Sequence, residues 1–311
     1  MKSIFSALVF LSLALVSCPS ACFAAPEPPR IELWPEGVPG LRADAAPDQV
    51  ADGRISGVHF PSLTVYAAPG QTANGTAVVL CPGGGYQRLA VDHEGVQIAQ
   101  WFNARGVTVF LLRYRLVEYG QPAPLRDVLR AIRIVRSRAD EFHVKPDRIG
   151  VMGFSAGGHV ASSAATLFDA PEGRTGAALD AVSARPDFAI LVYPVISMKP
   201  GVTHAGSRQA LLGENPAPEL EQRWSTDQQV TAATPPTFLV HCATDGAVPL
   251  QNALLFFEAL RAAGVSAELH VFAQGPHGFG MRPGVGPADE WPPLCEAWLR
   301  VNGWLGGNPV R

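Results

Sequence analysis

The chain has 311 residues, of which 47% are hydrophobic and 16% are charged, and its formal net charge is −3. This share of apolar residues is enough to form one large core, which excludes an intrinsically disordered chain. A charge so near neutrality provides no field that would collect nucleic acid or an anionic membrane, so we expect neither as a partner.

The first 24 residues have the three parts of a secretory signal peptide. Lys2 supplies a positive start, residues 4–16 are apolar, and small residues surround position 24. No later segment offers the roughly 18 uninterrupted apolar residues that a membrane span requires. We therefore expect cleavage after residue 24 and export to the periplasm or the medium. An alternative remains, because residues 15–18 (LVSC) resemble a bacterial lipobox, in which Cys18 would be acylated and would anchor the protein.

Three cysteines would remain after cleavage, namely Cys81, Cys242 and Cys295. The first two end apolar runs of the β type, where cysteine is most often a small buried hydrophobe. We predict no catalytic thiol. A single disulfide stays open, because an exported protein meets oxidising conditions.

Short apolar runs alternate with longer helical patterns over residues 25–311, which is typical of βαβ units around a mostly parallel sheet. The predicted strands are 63–66, 77–81, 107–112, 148–153, 188–193, 237–242 and 268–272. Helices are expected at about 93–105, 125–135, 156–168, 249–263 and 288–300. The sequence thus predicts a single α/β domain, with a doubly wound sheet and helices on both faces.

The sequence allows a structural prediction for two further segments. Arg126, Arg130 and Arg133 lie on a different face of the helix at 125–135 from its apolar stripe, so we expect them to form a solvated surface. Residues 194–236 are longer than a simple crossover and mix Gly and Pro with short helical pieces. We predict that this segment is a small insertion that covers the functional site.

A G-x-S-x-G motif at residues 153–157 lies between a predicted strand and a predicted helix. This is the context of a nucleophile elbow, in which a sharp turn lifts the serine hydroxyl clear of the sheet. Ser155 is therefore the candidate nucleophile. An alkyl hydroxyl attacks poorly near neutral pH, so it needs a base within hydrogen-bond reach and an acid that orients the base.

Asp245 and His277 follow Ser155 in the order that this arrangement requires. Asp245 comes just after the strand at 237–242, and His277 lies in a glycine-rich loop after the last strand. The carboxyl ends of parallel strands form the edge where ligands bind in open α/β sheets. Asp187 is a weaker candidate for the acid, because it precedes its strand and would lie at the opposite edge.

The glycines after the strand at 77–81 suggest an oxyanion hole. Gly84 and Gly85 have no side chains to keep a substrate away, and Ala156 offers the N–H group directly after the nucleophile. Neither G-K-[ST] nor the G-x-G-x-x-G spacing accompanies these glycines, which argues against a phosphate loop. A zinc hydrolase is disfavoured because His93-Glu94 is followed by Gln97 where H-E-x-x-H needs a second histidine. We expect no metal and no cofactor.

Taken together, the motifs make the chain similar to secreted esterases of the acetyl esterase type, within the hormone-sensitive-lipase-like group, and above all to bacterial acetyl xylan esterase-like proteins. The resemblance rests on PGGGY at 82–86, DHEG at 92–95, GFSAGGH at 153–159, YPVI at 193–196, LLGENP at 211–216, Asp245 with Val248-Pro249, and His277-Gly278-Phe279. It implies an α/β-hydrolase fold, a catalytic triad and an oxyanion hole at Ser155, Asp245, His277, Gly84, Gly85 and Ala156. One departure concerns Pro82, because the wider group usually has His before the three glycines, so this oxyanion loop must be supported differently.

The expected function is a serine esterase that removes acetyl groups from plant cell-wall polysaccharide or oligosaccharide, such as xylan. The substrate follows from the resemblance, whereas the motifs themselves indicate only acyl transfer from an ester. Of four aromatic residues that could stack on a sugar, we predict that Tyr86 binds substrate. A feruloyl or broad short-chain carboxylesterase is one alternative, and a non-catalytic carbohydrate-binding protein on a hydrolase scaffold is another.

Overall fold

The computed structural model describes residues 27–306, so the predicted signal peptide and Cys18 lie outside the described residues. The strands are β1 (Arg30–Glu32), β2 (Gln49–Ala51), β3 (Arg54–Ser56), β4 (Ser62–Tyr66), β5 (Ala77–Cys81), β6 (Thr108–Arg113), β7 (Ile149–Phe154), β8 (Ala189–Val192), β9 (Thr237–Cys242) and β10 (Ala267–Phe272). The α-helices are α1 (Gln97–Asn103), α2 (Ala123–Ser137), α3 (Ser155–Thr166), α4 (Ala205–Leu212), α5 (Pro218–Trp224), α6 (Gln251–Ala262) and α7 (Trp291–Val301). All seven predicted strands are confirmed, with small differences at their ends.

Eight strands form one sheet in the order β1-β4-β6-β5-β7-β8-β9-β10. Six neighbouring strands pair in parallel, in the order β6, β5, β7, β8, β9 and β10. In contrast, β4 pairs antiparallel with both β6 and β1. The short strands β2 and β3 form a separate hairpin. The predicted doubly wound, mostly parallel sheet of an α/β-hydrolase fold is therefore confirmed, and the prediction of a single domain over residues 25–311 stays a prediction.

The two faces of the sheet are covered by different helices, because side chains along a buried strand alternate between them. Val79 of β5 packs in the core that contains residues of α2, α3 and α6. Its neighbours Val78 and Leu80 pack in the other core, with residues of α1 and α7. Burying a side chain of this size stabilises the fold by about 1.5–3 kcal/mol relative to leaving it exposed.

The expectation of a solvated arginine surface on α2 is wrong for two of its three residues. Arg130 is 6% exposed and Arg133 is 2% exposed. The Arg130 guanidinium donates to the Leu33 carbonyl and pairs with Glu36, while Arg133 pairs with Asp180. The cause is tertiary: the chain before β2 and the loop before β8 fold over this helix face, which its periodicity alone does not reveal.

The strand order places the end of β5 beside the end of β7. Cys81, the last residue of β5, pairs with Gly153 of β7. The chain reaches β6 on one side of β5 and β7 on the other, so this is the point where the direction of strand addition changes. Ligands of open α/β sheets bind at such a point, outside the carboxyl ends of the strands.

Residues between β8 and β9 form α4, α5 and a short 3₁₀ helix at Thr226–Gln229, which confirms the short helical pieces expected at 194–236. Between residues 27 and 306, no helix combines the length and the apolar composition that a membrane crossing requires.

Candidate active site

Ser155, His277 and Asp245 form a continuous hydrogen-bonded chain. The Ser155 Oγ lies 2.8 Å from His277 Nε2, and His277 Nδ1 lies 2.7 Å from Asp245 Oδ2. These residues begin α3, follow β10 and follow β9, so the parallel sheet brings all three loops to the same edge. The structure thus brings together the three residues that the sequence predicted as nucleophile, base and acid.

Ser155 adopts a backbone conformation that L-residues rarely take, with φ +51°. This sharp turn between β7 and α3 needs small residues at both sides. A Cβ atom on Gly153 would lie 2.0 Å from the Gly157 carbonyl oxygen, and one on Gly157 would lie 2.1 Å from the Cys81 carbonyl oxygen. The two glycines of the motif are therefore required by close backbone contacts, as a nucleophile elbow demands.

The Asp245 carboxylate is fixed from several directions. Its side chain is 0% exposed, and its Oδ1 accepts hydrogen bonds from the N–H groups of Ala247 and Val248, both at 2.9 Å. Burial raises the pKa of Asp245, but hydrogen bonds from His241, His277 and Val248 together outweigh burial and hold that pKa below its usual range.

The ionised acid determines the tautomer of the base. A carboxylate can only accept hydrogen bonds, so His277 must donate through Nδ1 to Asp245. Its Nε2 is then free to accept the hydroxyl proton of Ser155. This arrangement is the one that general-base activation of a serine requires.

Asp187, the weaker candidate for the acid, lies elsewhere. Its Oδ2 accepts a hydrogen bond from the Ile149 N–H at 2.8 Å and pairs with Arg136. Because Ile149 begins β7 and Ser155 follows that strand, Asp187 lies at the opposite edge of the sheet. It braces the start of β7 and takes no part in the site.

The loop after β5 presents unpaired N–H groups. Within residues 27–306, neither the Gly84 nor the Gly85 N–H has a hydrogen-bond partner, and both glycines line the pocket that contains Ser155. The Gly84 carbonyl instead accepts hydrogen bonds from the N–H groups of Gln87 and Arg88, which turns the loop back on itself. Such unpaired donors beside the nucleophile can stabilise an oxyanion.

Ala156 differs from the two glycines because it is fully buried and does not line the pocket. Its N–H belongs to the first turn of α3, directly after Ser155. Its contribution to the oxyanion hole stays a prediction.

The loop at residues 82–86, which we call the oxyanion loop, is held by two buried side chains in place of the usual histidine. The Tyr114 hydroxyl donates to the Pro82 carbonyl at 2.6 Å, and the Gly83 N–H donates to Glu94 Oε2 at 2.7 Å. Because the Gly83 N–H is already used, the N–H groups that this loop leaves unpaired among the described residues include those of Gly84 and Gly85. These two contacts explain how a loop with proline at position 82 is supported.

Glu94 also connects the oxyanion loop to the loop that carries the catalytic base. Its Oε1 accepts a hydrogen bond from the Tyr193 hydroxyl at 2.8 Å, and that hydroxyl accepts one from the Gly280 N–H at 2.9 Å. The Tyr193 ring packs edge-on against the His277 ring with centroids 5.0 Å apart. Burial raises the pKa of Glu94, and the hydrogen bonds from Tyr193 and Gly83 oppose that rise.

Tyr86 does not bind substrate by stacking, so that prediction is wrong. The side chain is 0% exposed, and its hydroxyl donates to His159 Nδ1 at 2.7 Å. His159 Nε2 donates to the Trp224 carbonyl, and burial lowers the pKa of His159 to about 4. Tyr86 therefore ties the oxyanion loop to the nucleophile helix and to the insertion. The other aromatic candidates are also buried, namely Trp224, Phe279 and Trp291.

The triad opens into a pocket of about 340 Å³ whose wall is polar and cationic. His204 and Gly206 of the segment 194–236 contribute to the wall, so this segment borders the site, and its role as a cover over the site stays a prediction. His204 also begins α4, where its Nδ1 accepts a hydrogen bond from the Ser207 N–H at 3.1 Å. The remaining wall includes His93 and the side chains of Arg54, Arg88 and Arg282.

A larger cavity of about 600 Å³ lies between the insertion and α6, lined among others by Lys199, Asp227 and Leu255. No member of the triad borders it. The larger cavity is therefore not the candidate active site. The smaller pocket is, because it contains Ser155 and His277.

The three cysteines are buried and free of disulfide bonds, which confirms the expectation that Cys81 and Cys242 are small buried hydrophobes. Burial raises the pKa of Cys242 to about 11, so its thiol is protonated near neutral pH. Among residues 27–306, no three His, Cys, Asp or Glu side chains are grouped as metal ligands. The absence of a metal or cofactor from the reaction stays a prediction.

Several residues of the site were missed at the level of sequence. Glu94 and Tyr193 had a usable signal, because both lie in motifs that carry the family resemblance, DHEG and YPVI. Arg54, Arg88 and Arg282 had none, because they lie in unrelated segments that only the fold brings together.

The comparison with known proteins agrees with the family resemblance of the motifs. Residues 63–260 match the BD-FAE family model. Over 68% of the chain, the sequence is 36% identical to an acetylxylan esterase from Xylanibacter ruminicola, of which the match covers 42%. Over 80% of the chain, it is 37% identical to endo-1,4-beta-xylanase B from Butyrivibrio fibrisolvens, of which the match covers 37%. The chain thus spans about two fifths of the length of these curated relatives.

A solved structure extends the similarity to nearly the whole fold. The acetyl ester-xyloside bifunctional hydrolase from Caldicellulosiruptor lactoaceticus superposes with a TM-score of 0.81 at 40% sequence identity. The superposition covers 90% of this chain and 98% of that one. The two proteins therefore share the fold over most of this chain and almost all of the other.

Proposed function

The chain belongs to the BD-FAE family, and from this premise we propose that it is a serine-dependent carboxylic ester hydrolase that removes acetyl groups from polysaccharide or oligosaccharide such as xylan. The observation that carries the proposal is the chain of hydrogen bonds from Ser155 through His277 to Asp245, at the mouth of a pocket with unpaired amides. The names of the relatives from Xylanibacter ruminicola and Caldicellulosiruptor lactoaceticus support the acetylated substrate.

In the proposed reaction, the Ser155 oxygen attacks the ester carbonyl while His277 Nε2 takes the hydroxyl proton. The N–H groups of Gly84 and Gly85, joined by that of Ala156, hold the oxyanion of the tetrahedral intermediate. His277 then protonates the departing sugar alcohol, which leaves an acetyl-enzyme. Water attacks the acetyl group with His277 as base, and acetate departs. Asp245 orients the imidazole and stabilises its charged form throughout.

The pocket wall favours a small acyl group over a feruloyl group. Among the described residues that line it, none is Phe, Tyr or Trp. An aromatic acyl group binds best against apolar or aromatic side chains, and Ala90 is the only apolar side chain among these lining residues. A non-catalytic carbohydrate-binding role is disfavoured by an intact triad with hydrogen-bonding geometry.

The test is acetate release from acetylated xylan by the purified protein. We expect acetate release that Ser155→Ala abolishes, together with faster cleavage of nitrophenyl acetate than of a nitrophenyl ester with a long or aromatic acyl group. Cleavage of methyl ferulate without release of acetate from xylan would favour the feruloyl alternative. Binding of xylan oligosaccharides with no hydrolysis of any ester would favour the non-catalytic alternative.

We also propose that the protein acts outside the cytoplasm. The proposal rests on the signal-peptide pattern of residues 1–24 and on a polymeric substrate that cells do not import intact. Fractionation of the producing cells, with N-terminal sequencing of the mature protein, tests it. A mature N-terminus near residue 25 supports simple export, and an acylated Cys18 supports the lipoprotein alternative.

A further inference from the structure

Three arginines from separate segments converge on the pocket that contains Ser155. Arg54 begins β3, Arg88 follows the oxyanion loop, and Arg282 follows the loop of the catalytic base. All three are exposed to solvent. Their side chains contribute to one cationic wall on the site, which we call the arginine wall.

The three members of the arginine wall lack acidic partners in the described part of the chain. Within residues 27–306, no carboxylate oxygen lies within 4.0 Å of the guanidinium of Arg54, Arg88 or Arg282. Most other arginines of residues 27–306 pair with a carboxylate, as Arg115 does with Asp127 at 2.8 Å and Arg105 does with Glu296 at 2.6 Å. No ion pair within this range neutralises the three arginines of the pocket, so their charge remains available to a ligand.

The carboxylates near the pocket form no ion pair with the arginine wall. Glu94 is the only carboxylate among its lining residues, and hydrogen bonds from Gly83 and Tyr193 occupy both of its oxygens. Asp92 lies outside the lining and accepts a hydrogen bond from Gln97 at 3.3 Å.

His93 and His204, which line the pocket beside the arginine wall, are neutral near pH 7. Burial together with the charges of Arg282 and Arg54 lowers the pKa of His93 to about 4, with Asp92 opposing, so its Nε2 accepts a hydrogen bond from Arg282 at 3.1 Å. Burial also lowers the pKa of His204. The histidines therefore add hydrogen-bonding capacity without adding charge.

We propose that the arginine wall binds a carboxylate carried by the ester substrate. A guanidinium matches a carboxylate with two parallel hydrogen bonds, and a pocket lined by one sign of charge concentrates ligands of the other sign. The carboxylate belongs either to the sugar, as in an acetylated saccharide with a uronic acid residue, or to the acyl group, as in the half-ester of a dicarboxylic acid. The inference deepens the proposed function and rests on it.

The first arm of the test varies the sugar. Glucuronoxylan is divided into two batches, the carboxyl groups of one are reduced to alcohols, and both are then acetylated to the same degree. We expect kcat/KM for acetate release to be about tenfold or more higher on the acidic polymer, because a hydrogen bond between two charged groups is stronger than one between neutral groups. The ratio should fall as salt is added, since exposed charges are screened.

The second arm varies the acyl group by comparing monoethyl succinate with ethyl butyrate through ethanol release. A preference for the half-ester in this arm, with equal rates on the two polymers, places the carboxylate on the acyl side. A preference only in the first arm places it on the sugar.

Substitutions in the arginine wall test whether its residues cause the preference for acidic substrates. Arg88→Gln and Arg54→Gln should each lower the ratio of acidic to neutral kcat/KM severalfold. The matched control is Arg261→Gln, because Arg261 is an exposed arginine on α6 that does not line the pocket. The control should keep the ratio of the parent protein.

A binding measurement separates this inference from the proposed function. Calorimetry with the Ser155→Ala protein compares an aldouronic acid from glucuronoxylan with the neutral xylo-oligosaccharide of equal length, and monoethyl succinate with ethyl butyrate. Tighter binding of either acidic ligand, weakened by Arg88→Gln, supports the arginine wall even if the esterase assay fails. Equal affinity in both pairs, or equal kcat/KM in both arms while Ser155-dependent release of acetate persists, overturns the inference and leaves the proposed function standing.

Discussion

The catalytic chain and the arginine wall face the same pocket but are built in opposite ways. The Asp245 side chain is 0% exposed and its carboxylate is fully engaged, while Glu94 is buried behind the oxyanion loop with both oxygens occupied. Arg88 and Arg282 are exposed and pair with no carboxylate of the described residues. In the catalytic chain each charged group has its partner within the protein, whereas the guanidinium groups of the arginine wall have no acidic partner among residues 27–306.

This difference reflects the separate roles of the two regions, because one holds the reacting groups in place and the other receives the substrate. Groups that must hold one geometry are buried and satisfied, since a catalytic constellation loses rate when it moves by about 1 Å. Groups that receive a variable substrate stay solvated and unpaired, since their partner arrives with the ligand. Substitutions in the first region should therefore affect kcat, and substitutions in the second should affect the choice of substrate.

The largest effect is expected at Ser155. Ser155→Ala should lower kcat by a factor on the order of 10⁶ while the melting temperature stays near that of the parent, because the hydroxyl serves the reaction and not the packing. Ser163→Ala is a matched control on the same helix, since the buried Ser163 Oγ has no partner among the described residues. Steady-state kinetics on nitrophenyl acetate measures both variants, and a parental rate for Ser155→Ala would contradict the account.

The next effect is expected at the acid. Asp245→Asn should lower kcat by a factor on the order of 10⁴, because an amide can donate to His277 Nδ1 and so favours the wrong tautomer. Asp187→Asn is the control, since Asp187 braces Ile149 at the opposite edge of the sheet. That control should lower the free energy of unfolding without changing kcat. Equal kinetic losses in the two variants would refute the assignment of Asp245.

A smaller effect is expected at Glu94, which positions the oxyanion loop through Gly83. Glu94→Ala leaves the Gly83 N–H and the Tyr193 hydroxyl without their acceptor, so the amides of Gly84 and Gly85 lose their fixed direction. We expect kcat to fall by about 10² to 10³ with little change in KM, which is the cost of a lost oxyanion donor.

Two further variants check that Glu94 acts through position. Glu94→Gln keeps one acceptor oxygen and should recover part of kcat. Tyr193→Phe removes only the second contact and should cost less than Glu94→Ala. A purely structural role would instead lower the melting temperature and leave the kcat of the folded fraction unchanged.

The smallest effect is a dependence of stability on pH through His159. Its pKa is about 4 in the folded protein because of burial, below the ordinary value of 6.5, so the unfolded chain binds the proton first as the pH falls. The contribution to stability is complete above pH 6.5 and is lost between pH 6.5 and 4, at most on the order of 3 kcal/mol. Urea unfolding of the parent and of His159→Gln measures it, and the parent should show the steeper loss. Identical slopes would rule out His159 as a source.

The sequence predicts the residues of the catalytic chain better than those of the arginine wall. Ser155, Asp245 and His277 were predictable because each lies in a fixed position after a strand, and the parallel sheet forces those positions to one edge. Gly84 and Gly85 were predictable because a backbone donor needs a residue without a side chain. The strands were predictable to nearly their exact ends, because a sheet buried on both faces leaves continuous apolar runs.

The errors arise where burial depends on distant segments. Tyr86 follows the glycines and looked like a sugar platform, yet its side chain turns inward to His159, which lies one turn into α3. Arg130 and Arg133 looked solvated, yet chain segments far away in sequence cover them. The arginine wall was invisible for the same reason, since no local pattern joins β3, the oxyanion loop and the loop after His277.

The central claim is that the hydrogen-bonded chain makes Ser155 a nucleophile, and covalent labelling tests it most directly. The protein is incubated with diisopropyl fluorophosphate, and the modified residue is located by mass spectrometry of the digested chain. We predict one adduct, on the peptide that contains Ser155, formed far more slowly in Asp245→Asn and absent in Ser155→Ala. An adduct on another residue, or a protein that stays unlabelled while it still releases acetate from an ester, would contradict the claim.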